Sequence, residues 1–392
     1  MARVIGQEDI EATRASGRQA LEILPGDIIT DLARESAERL GIRLLDGPLE
    51  RPAVKRTDGA TNLRRSLYRR SSRWVAPQAG TALQARRIGK LALIGAGGVG
   101  GNIAHLAANA DLAAEIALID IAPGLAEATA LDLMHSAGIT RSATKITGSQ
   151  SLTAVEGAEI VVVTAGRPRT PGMSRADLIG VNARVIRASA EAIKNQAPDA
   201  IIIVVTNPLD EMTTEMLRAT GFPRERVIGM AGTLDSARFR LSLAKAAGVE
   251  PADVEAITLG SHGDEMAPIA SQSTIKGRAL STYLDADTIA ACVKDAVTGG
   301  GQVVALKKTG SATLAPAHAS VELIDHIRGA RAGWVPASVM LKGEYGIDDV
   351  VLGVPCHLGA SGLLSVEELR LTTDEHAALN AAAEAIRARL AE

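Results

Sequence analysis

The sequence predicts an α/β chain built on a doubly wound parallel sheet, and three observations carry that expectation. Short apolar runs alternate with helical patterns from residue 90 onward, a glycine-rich turn follows the first run directly, and an acid closes the second. Strands that are apolar on both sides need helices on both faces, which a parallel sheet with crossover helices supplies. At 392 residues the chain has room for two or three domains. A hydrophobic share of 46% against 22% charged residues is that of a folded globular protein. The formal net charge of −3 gives no electrostatic case for nucleic acid or an anionic membrane. No apolar run is read as approaching the ~20 residues of a membrane span. The two cysteines, Cys292 and Cys356, lack metal-ligand spacing, so no metal site and no disulfide framework is expected, and a reducing compartment follows. The N-terminus lacks the apolar stretch of a secretory signal. Glu8, Asp9 and Glu11 stand where a transit peptide avoids acids, which leaves the cytoplasm.

In chain order, residues 1–50 form a mildly acidic N-terminal extension with one helix over residues 30–40. Thr30 or Asp31 caps it, and Leu32, Ala33, Ala37 and Leu40 fall at helical spacing. Residues 51–88 read as a basic, disordered linker, because residues 51–90 carry eleven Lys or Arg against one acid, Asp58. Residues 89–232 form a nucleotide-binding domain with strands over 91–94, 116–119, 160–163 and 201–205. Residues 233–392 form an α+β substrate domain, whose first strand is expected over 254–259.

The first strand runs straight into Gly95-Ala96-Gly97-Gly98-Val99-Gly100 and then a helical segment. This is G-x-G-x-x-G between strand and helix, the signature of a Rossmann-type dinucleotide site. Its glycines allow a tight turn and close backbone approach, with the helix N-terminus facing a pyrophosphate. Asp120 ends the next strand, twenty positions after Gly100. A carboxylate there suits the adenosine ribose hydroxyls and repels a 2′-phosphate, so the expected cofactor is NAD.

Four later segments carry further chemistry. Val204-Val205-Thr206-Asn207-Pro208-Leu209-Asp210 puts polar residues at the carboxyl end of a strand, where open α/β sheets bind ligands. Gly232-Thr233-Leu234-Asp235-Ser236-Ala237-Arg238 opens a helix on which Asp235 and Arg238 share a face. Leu259-Gly260-Ser261-His262-Gly263-Asp264 sets a histidine on a turn, and Gly166-Arg167-Pro168-Arg169-Thr170-Pro171-Gly172-Met173-Ser174-Arg175 is a loop with the makings of a lid. Singly, each reads as easily as a surface pair, a loop histidine or solvated charge.

Together, in this order, they resemble the lactate/malate dehydrogenase family from about Lys90 to the C-terminal helix. Leu131-Asp132-Leu133-Met134-His135, Thr309-Gly310-Ser311-Ala312 and Gly343-Glu344-Tyr345-Gly346 add to the likeness. The loop looks most like that of bacterial malate dehydrogenases on a lactate-dehydrogenase-like scaffold. The resemblance implies that His262 is the general acid/base, oriented by Asp235, while Arg238 clamps the substrate's C1 carboxylate. Arg175 would polarise the C2 oxygen with Asn207 beside it, and Arg169 would meet a second carboxylate, selecting malate and oxaloacetate. It places NAD on Gly95, Gly97, Gly98, Val99, Gly100, Asp120, Asn182, Val205 and Asn207, and it implies a homodimer or homotetramer. Ser261 departs from the Gly or Glu usual in relatives, with no consequence attached to it.

The extension resembles, loosely and over about twenty residues, N-terminal segments of proteins from bacterial microcompartment operons, although Asp31 stands where those tend to have Pro. That implies a docking partner. A fused helix and linker without such a role fits the residues equally. With only Tyr68 and Trp74 as stacking aromatics in the basic stretch, no nucleic acid is expected. A binding protein on a retired enzyme fold is the competing class. It would be free to lose catalytic side chains, yet every mapped position keeps a competent one.

Overall fold

The computed structural model describes residues 3–16, 20–23, 27–46, 85–168, 175–263, 265–308 and 310–391. They fall into two compact units, one within residues 1–58 and the other within 59–392.

The first unit holds β1 (Val4–Ile5), α1 (Gln7–Ala15), β2 (Ala20–Ile23), β3 (Ile28–Ile29), α2 (Asp31–Leu40) and β4 (Arg43–Asp46). β1 pairs in parallel with β3, and β2 with β4. Ile5, Ile10, Leu21, Ile23, Ala33, Ala37 and Ile42 make its core. Thr30 is the cap of α2, accepting the Ala33 N–H, and Gly41 ends it in the left-handed region. The single helix read from sequence is therefore one of two helices among the described residues of this unit, which also form four strands. Strands of two to four residues are too short to show alternation. Leu32, counted on the apolar face, is exposed.

Most of the stretch read as a linker, residues 51–84, lies outside the described residues. Its last residues belong to the second unit. The Arg86 N–H donates to the Arg328 carbonyl and the Arg86 guanidinium pairs with Glu159.

The second unit begins with β5 (Ile88–Ile94), α3 (Gly98–Asn109), β6 (Ala113–Ile119), α4 (Leu125–Thr140) and β7 (Lys145–Ser149). β8 (Ile160–Val163), α5 (Arg175–Gln196), β9 (Ile201–Val204), α6 (Leu209–Thr220) and β10 (Val227–Gly229) complete the parallel half. The strand order β7-β6-β5-β8-β9-β10 is parallel throughout and reverses between β5 and β8, the doubly wound arrangement. Leu91 and Leu93 of β5 face one core with Ile103 and Ala107 of α3. Ala92 and Ile94 face the other with Ile186, Ala190 and Ile193 of α5. Burial on both faces is what the continuous apolar runs require.

Beyond β10 come α7 (Gly232–Ala247), β11 (Val254–Glu255), β12 (Thr258–Gly260), β13 (Met266–Pro268), β14 (Thr274–Ile275) and β15 (Arg278–Ala279). They are followed by α8 (Ala286–Lys307), α9 (Leu314–Ile327), β16 (Trp334–Lys342), β17 (Asp348–Gly359), β18 (Gly362–Val366) and α10 (Thr373–Ala391). β16 joins the edge of β10 antiparallel at Gly229 and Ser338, so the sheet continues through β17, β12 and β13. The strand expected over 254–259 is two strands in different sheets, β11 pairing with β14 and β12 with β13 and β17. α8 is long and apolar enough to cross a membrane by length and composition, contrary to the sequence reading. In the fold it packs against α7 and its Gly300, Gly301 and Val304 line a cavity.

Candidate active site

The cavity, about 1110 Å³, opens where the strand order reverses, at the carboxyl ends of β5 and β8. The glycine turn forms one wall, and each glycine there has a different physical reason. Gly95 has φ +107°, and a Cβ on it would lie 2.5 Å from Thr164 Oγ1 and 2.7 Å from the Ala165 nitrogen. On Gly100, a Cβ would lie 1.8 Å from the Gly95 carbonyl oxygen, so this glycine lets α3 pack onto the turn. A Cβ on Gly97 would meet nothing within 4 Å, which leaves backbone facing free space at the start of α3. A dinucleotide pyrophosphate needs such an uncovered helix N-terminus, and the turn fits one.

Asp120 sits at the end of β6 on the same cavity, its carboxylate accepting the Ala96 and Ala122 N–H groups at 2.8 and 2.9 Å. The acid at the end of the second strand is thereby tied to the glycine turn after the first. Val99, Val205, Asn207 and Asn182 also line the cavity. Asn182 is a brace. Its Oδ1 accepts the Arg167 N–H at 2.8 Å, and its Nδ2 donates to the Arg167 and Asn207 carbonyls at 3.2 and 2.6 Å. Gly100 and Asp235 do not line the cavity; they support residues that do.

At the opposite wall, α7 and the turn after β12 bring together the histidine, the acid and the arginine. His262 Nδ1 lies 2.8 Å from Asp235 Oδ2, and Arg238 Nη1 donates to Asp235 Oδ1 at 2.9 Å. Asp235 is only 2% exposed. Burial disfavours a charged imidazole. The Asp235 carboxylate, through charge and hydrogen bond, and Asp210 outweigh both that burial and the opposing charge of Arg238, so His262 is raised above the ordinary histidine value. α8 packs beside this arginine, and Cβ atoms on Gly299 and Gly300 would each lie 3.4 Å from the Arg238 side chain, in ordinary van der Waals contact.

Arg169 lies outside the described residues, and Arg175 is the first residue of α5, where only its backbone is described. Arg167, at the start of this loop, is exposed. Several residues of the site carried no sequence assignment. Ser311, Ala312 and Thr313 line the cavity after α8, and Leu152 and Met266 lie on its wall. Asp210, to which the sequence assigns no role, is buried behind the His262 turn, accepting the His262 N–H at 2.8 Å.

Comparison with known proteins agrees with this geometry. Residues 89–229 match the lactate/malate dehydrogenase NAD binding domain, and residues 232–392 match the alpha/beta C-terminal domain of the same family. A malate dehydrogenase of Trichormus variabilis is 45% identical over 300 residues, covering 76% of this chain and 92% of the relative. One from Anaeromyxobacter dehalogenans is 42% identical over 305 residues, covering 77% and 97%. The crystal structure of Cryptosporidium parvum malate dehydrogenase superposes with a TM-score of 0.75 at 37% identity, covering 78% of this chain and 98% of that one. The lactate dehydrogenase of the same organism, solved with lactic acid and nicotinamide adenine dinucleotide, gives a TM-score of 0.75 at 34% identity with the same coverage. From the strand before its glycine turn to its last helix, this chain belongs to the lactate/malate dehydrogenase family.

Proposed function

We propose that this chain is an NAD-dependent malate dehydrogenase, interconverting (S)-malate and oxaloacetate with His262 as general acid/base. The observation that carries the reading is a single buried carboxylate, Asp235, holding His262 and Arg238 on its two oxygens beside the cavity that the glycine turn opens. The relatives named as malate dehydrogenases support the same substrate class.

NAD, when bound, supplies the hydride acceptor. Gly95, Gly97, Gly98 and Val99 would hold its pyrophosphate, with Gly100 packed behind them; Asp120 would hold its adenosine ribose, and Asn182, Val205 and Asn207 would face its nicotinamide end. In malate oxidation, His262 Nε2 takes the C2 hydroxyl proton as hydride leaves C2; in the reverse direction it returns that proton. Asp235 keeps the ring proton on Nδ1 and stabilises the imidazolium. Arg238 clamps the C1 carboxylate, Arg175 polarises the C2 oxygen with Asn207 hydrogen-bonding near it, and Arg169 pairs with the distal carboxylate and so favours malate over lactate.

Steady-state oxidation of NADH with oxaloacetate and with pyruvate, in the wild type and His262→Asn, tests this. The reading expects strong preference for oxaloacetate and collapse of turnover in the variant. Wild-type preference for pyruvate would overturn it.

The chain assembles as a homodimer or homotetramer. Leu131, Met134 and Ile139, the last 86% exposed, set large apolar side chains on the surface of α4, which a partner subunit covers. Sedimentation velocity measures this directly. The compartment is the cytoplasm. The separately cored N-terminal unit, outside the family match, serves as a docking element, with a microcompartment protein as the partner its resemblance suggests.

A further inference from the structure

The turn that carries His262 is held from behind by groups that no family role above assigns. Asp210, in the first turn of α6 and 1% exposed, accepts three hydrogen bonds. Its Oδ2 receives the Ser261 hydroxyl at 3.0 Å and the His262 N–H at 2.8 Å, and its Oδ1 receives the Ser338 hydroxyl at 2.9 Å. Arg389, in the last turn of α10, reaches into the same place. Its Nε contacts Glu211 Oε1 at 2.5 Å, its Nη1 Glu265 Oε1 at 3.0 Å, and its Nη2 Ser261 Oγ at 3.2 Å.

A guanidinium can only donate. Ser261 Oγ must therefore accept from Arg389, which turns the hydroxyl proton toward Asp210. The same arginine is the counter-charge of Glu211, a carboxylate 2% exposed. An unpaired Glu211 would add a buried negative charge next to Asp210.

We propose that Arg389 is a positioning residue for proton transfer. Through Ser261 and Asp210, the C-terminal helix locks the backbone of His262 so that the imidazole is presented to the cavity. The proposal rests on the reading of His262 as the acid/base group. It also gives Ser261 a function as the hydroxyl that couples helix to turn. Burial pushes the Asp210 carboxyl up to about 6, against the pull of the His262 N–H. A group titrating there would feel any loss of its donors. Among the described residues, the charged groups around the turn are Asp210 and Glu211 on α6, Asp235 and Arg238 on α7, Glu265 after the turn and Arg389 on α10.

The test uses the full chain and four variants: Ser261→Ala, Arg389→Lys, the charge-balanced pair Arg389→Met with Glu211→Gln, and all three neutral changes together. Readouts are kcat, KM for oxaloacetate, the pH profile of kcat/KM, NADH affinity and Tm. Small displacements of a catalytic group cost up to about a hundredfold in rate. Ser261→Ala and the charge-balanced pair should each lower kcat about tenfold, with NADH affinity within about twofold and the kinetic pKa displaced. Arg389→Lys should recover part of the loss. Because the residues act through one chain of contacts, the triple variant should lose little more than the pair alone. Wild-type kcat and pH profile in Ser261→Ala, or additive losses in the triple variant, would overturn the proposal. So would losses explained wholly by a lower folded fraction. A wild type that does not turn over oxaloacetate would sink the functional reading instead.

Discussion

Oδ2 of Asp235 meets the ring Nδ1 of His262 at 2.8 Å, and that contact sets which protonation state the folded protein prefers. The imidazolium is favoured despite burial, so the histidine titrates above its ordinary value.

The pH dependence follows with a definite sign. Reduction of oxaloacetate consumes the protonated ring, so its kcat/KM should be full at low pH and fall as pH rises through the raised His262 value. Malate oxidation should show the opposite limb. The stability this pair contributes is present below the ordinary histidine pKa of about 6.5 and lost as pH rises through the raised one. Asp235→Asn removes the group that raises His262, and should shift both limbs to lower pH and cut kcat on the order of 10²- to 10⁴-fold. Unshifted limbs would remove Asp235 from the mechanism.

Arg169 is the position that should choose the substrate. Arg169→Gln should move preference from oxaloacetate toward pyruvate. Loss of a charge-assisted hydrogen-bonded pair of about 2–4 kcal/mol corresponds to roughly thirty- to a thousand-fold in kcat/KM for oxaloacetate. Competition assays with both keto acids measure it.

The glycine turn separates packing from binding in two substitutions. Gly100→Ala drives a methyl against the Gly95 carbonyl and should destabilise the fold by about 1–3 kcal/mol or more, read as a lower Tm. Gly97→Ala meets no protein atom, so its Tm should stay near the wild type while NADH affinity falls. Equal NADH affinity in Gly97→Ala would show that the dinucleotide does not approach this backbone.

Asp120→Ser should narrow the preference for NADH over NADPH, measured as the ratio of kcat/KM values. Part of the change should come from weaker NADH binding, because the carboxylate also holds the Ala96 N–H of the turn.

A chain starting at Ala85 keeps Arg86 and its contacts to Arg328 and Glu159, together with every site residue. It should fold and keep kcat within about threefold, a barrier change of only ~0.65 kcal/mol. Loss of most turnover would make the N-terminal unit part of the catalytic fold.

What the residues disclosed, and what they hid, divides by the range of the interaction. Gly95, Gly97, Gly100 and Asp120 are legible because strand, turn, helix and acid follow one another locally, each with a backbone requirement of its own. Asp235 and Arg238 are legible as neighbours on one helical face, whereas only the family resemblance implies their tie to His262. Ser261, Asp210 and Arg389 are joined across 51 and 128 positions of sequence, and no periodicity reports such a contact. Residues 254–259 read as one strand because four of the six are apolar, whereas β11 and β12 follow different partners. The strands of the N-terminal unit are not legible, because they have no length in which to alternate.

Gly299 and Gly300 lie inside α8, where each costs about 1 kcal/mol against alanine in helix stability. A methyl at either position would come no nearer than 3.4 Å to the Arg238 side chain, an ordinary van der Waals contact. Alanine therefore fits at both positions without moving the arginine. The helix that forms this wall of the cavity holds two residues whose replacement would stiffen it and leave the neighbouring side chain where it is.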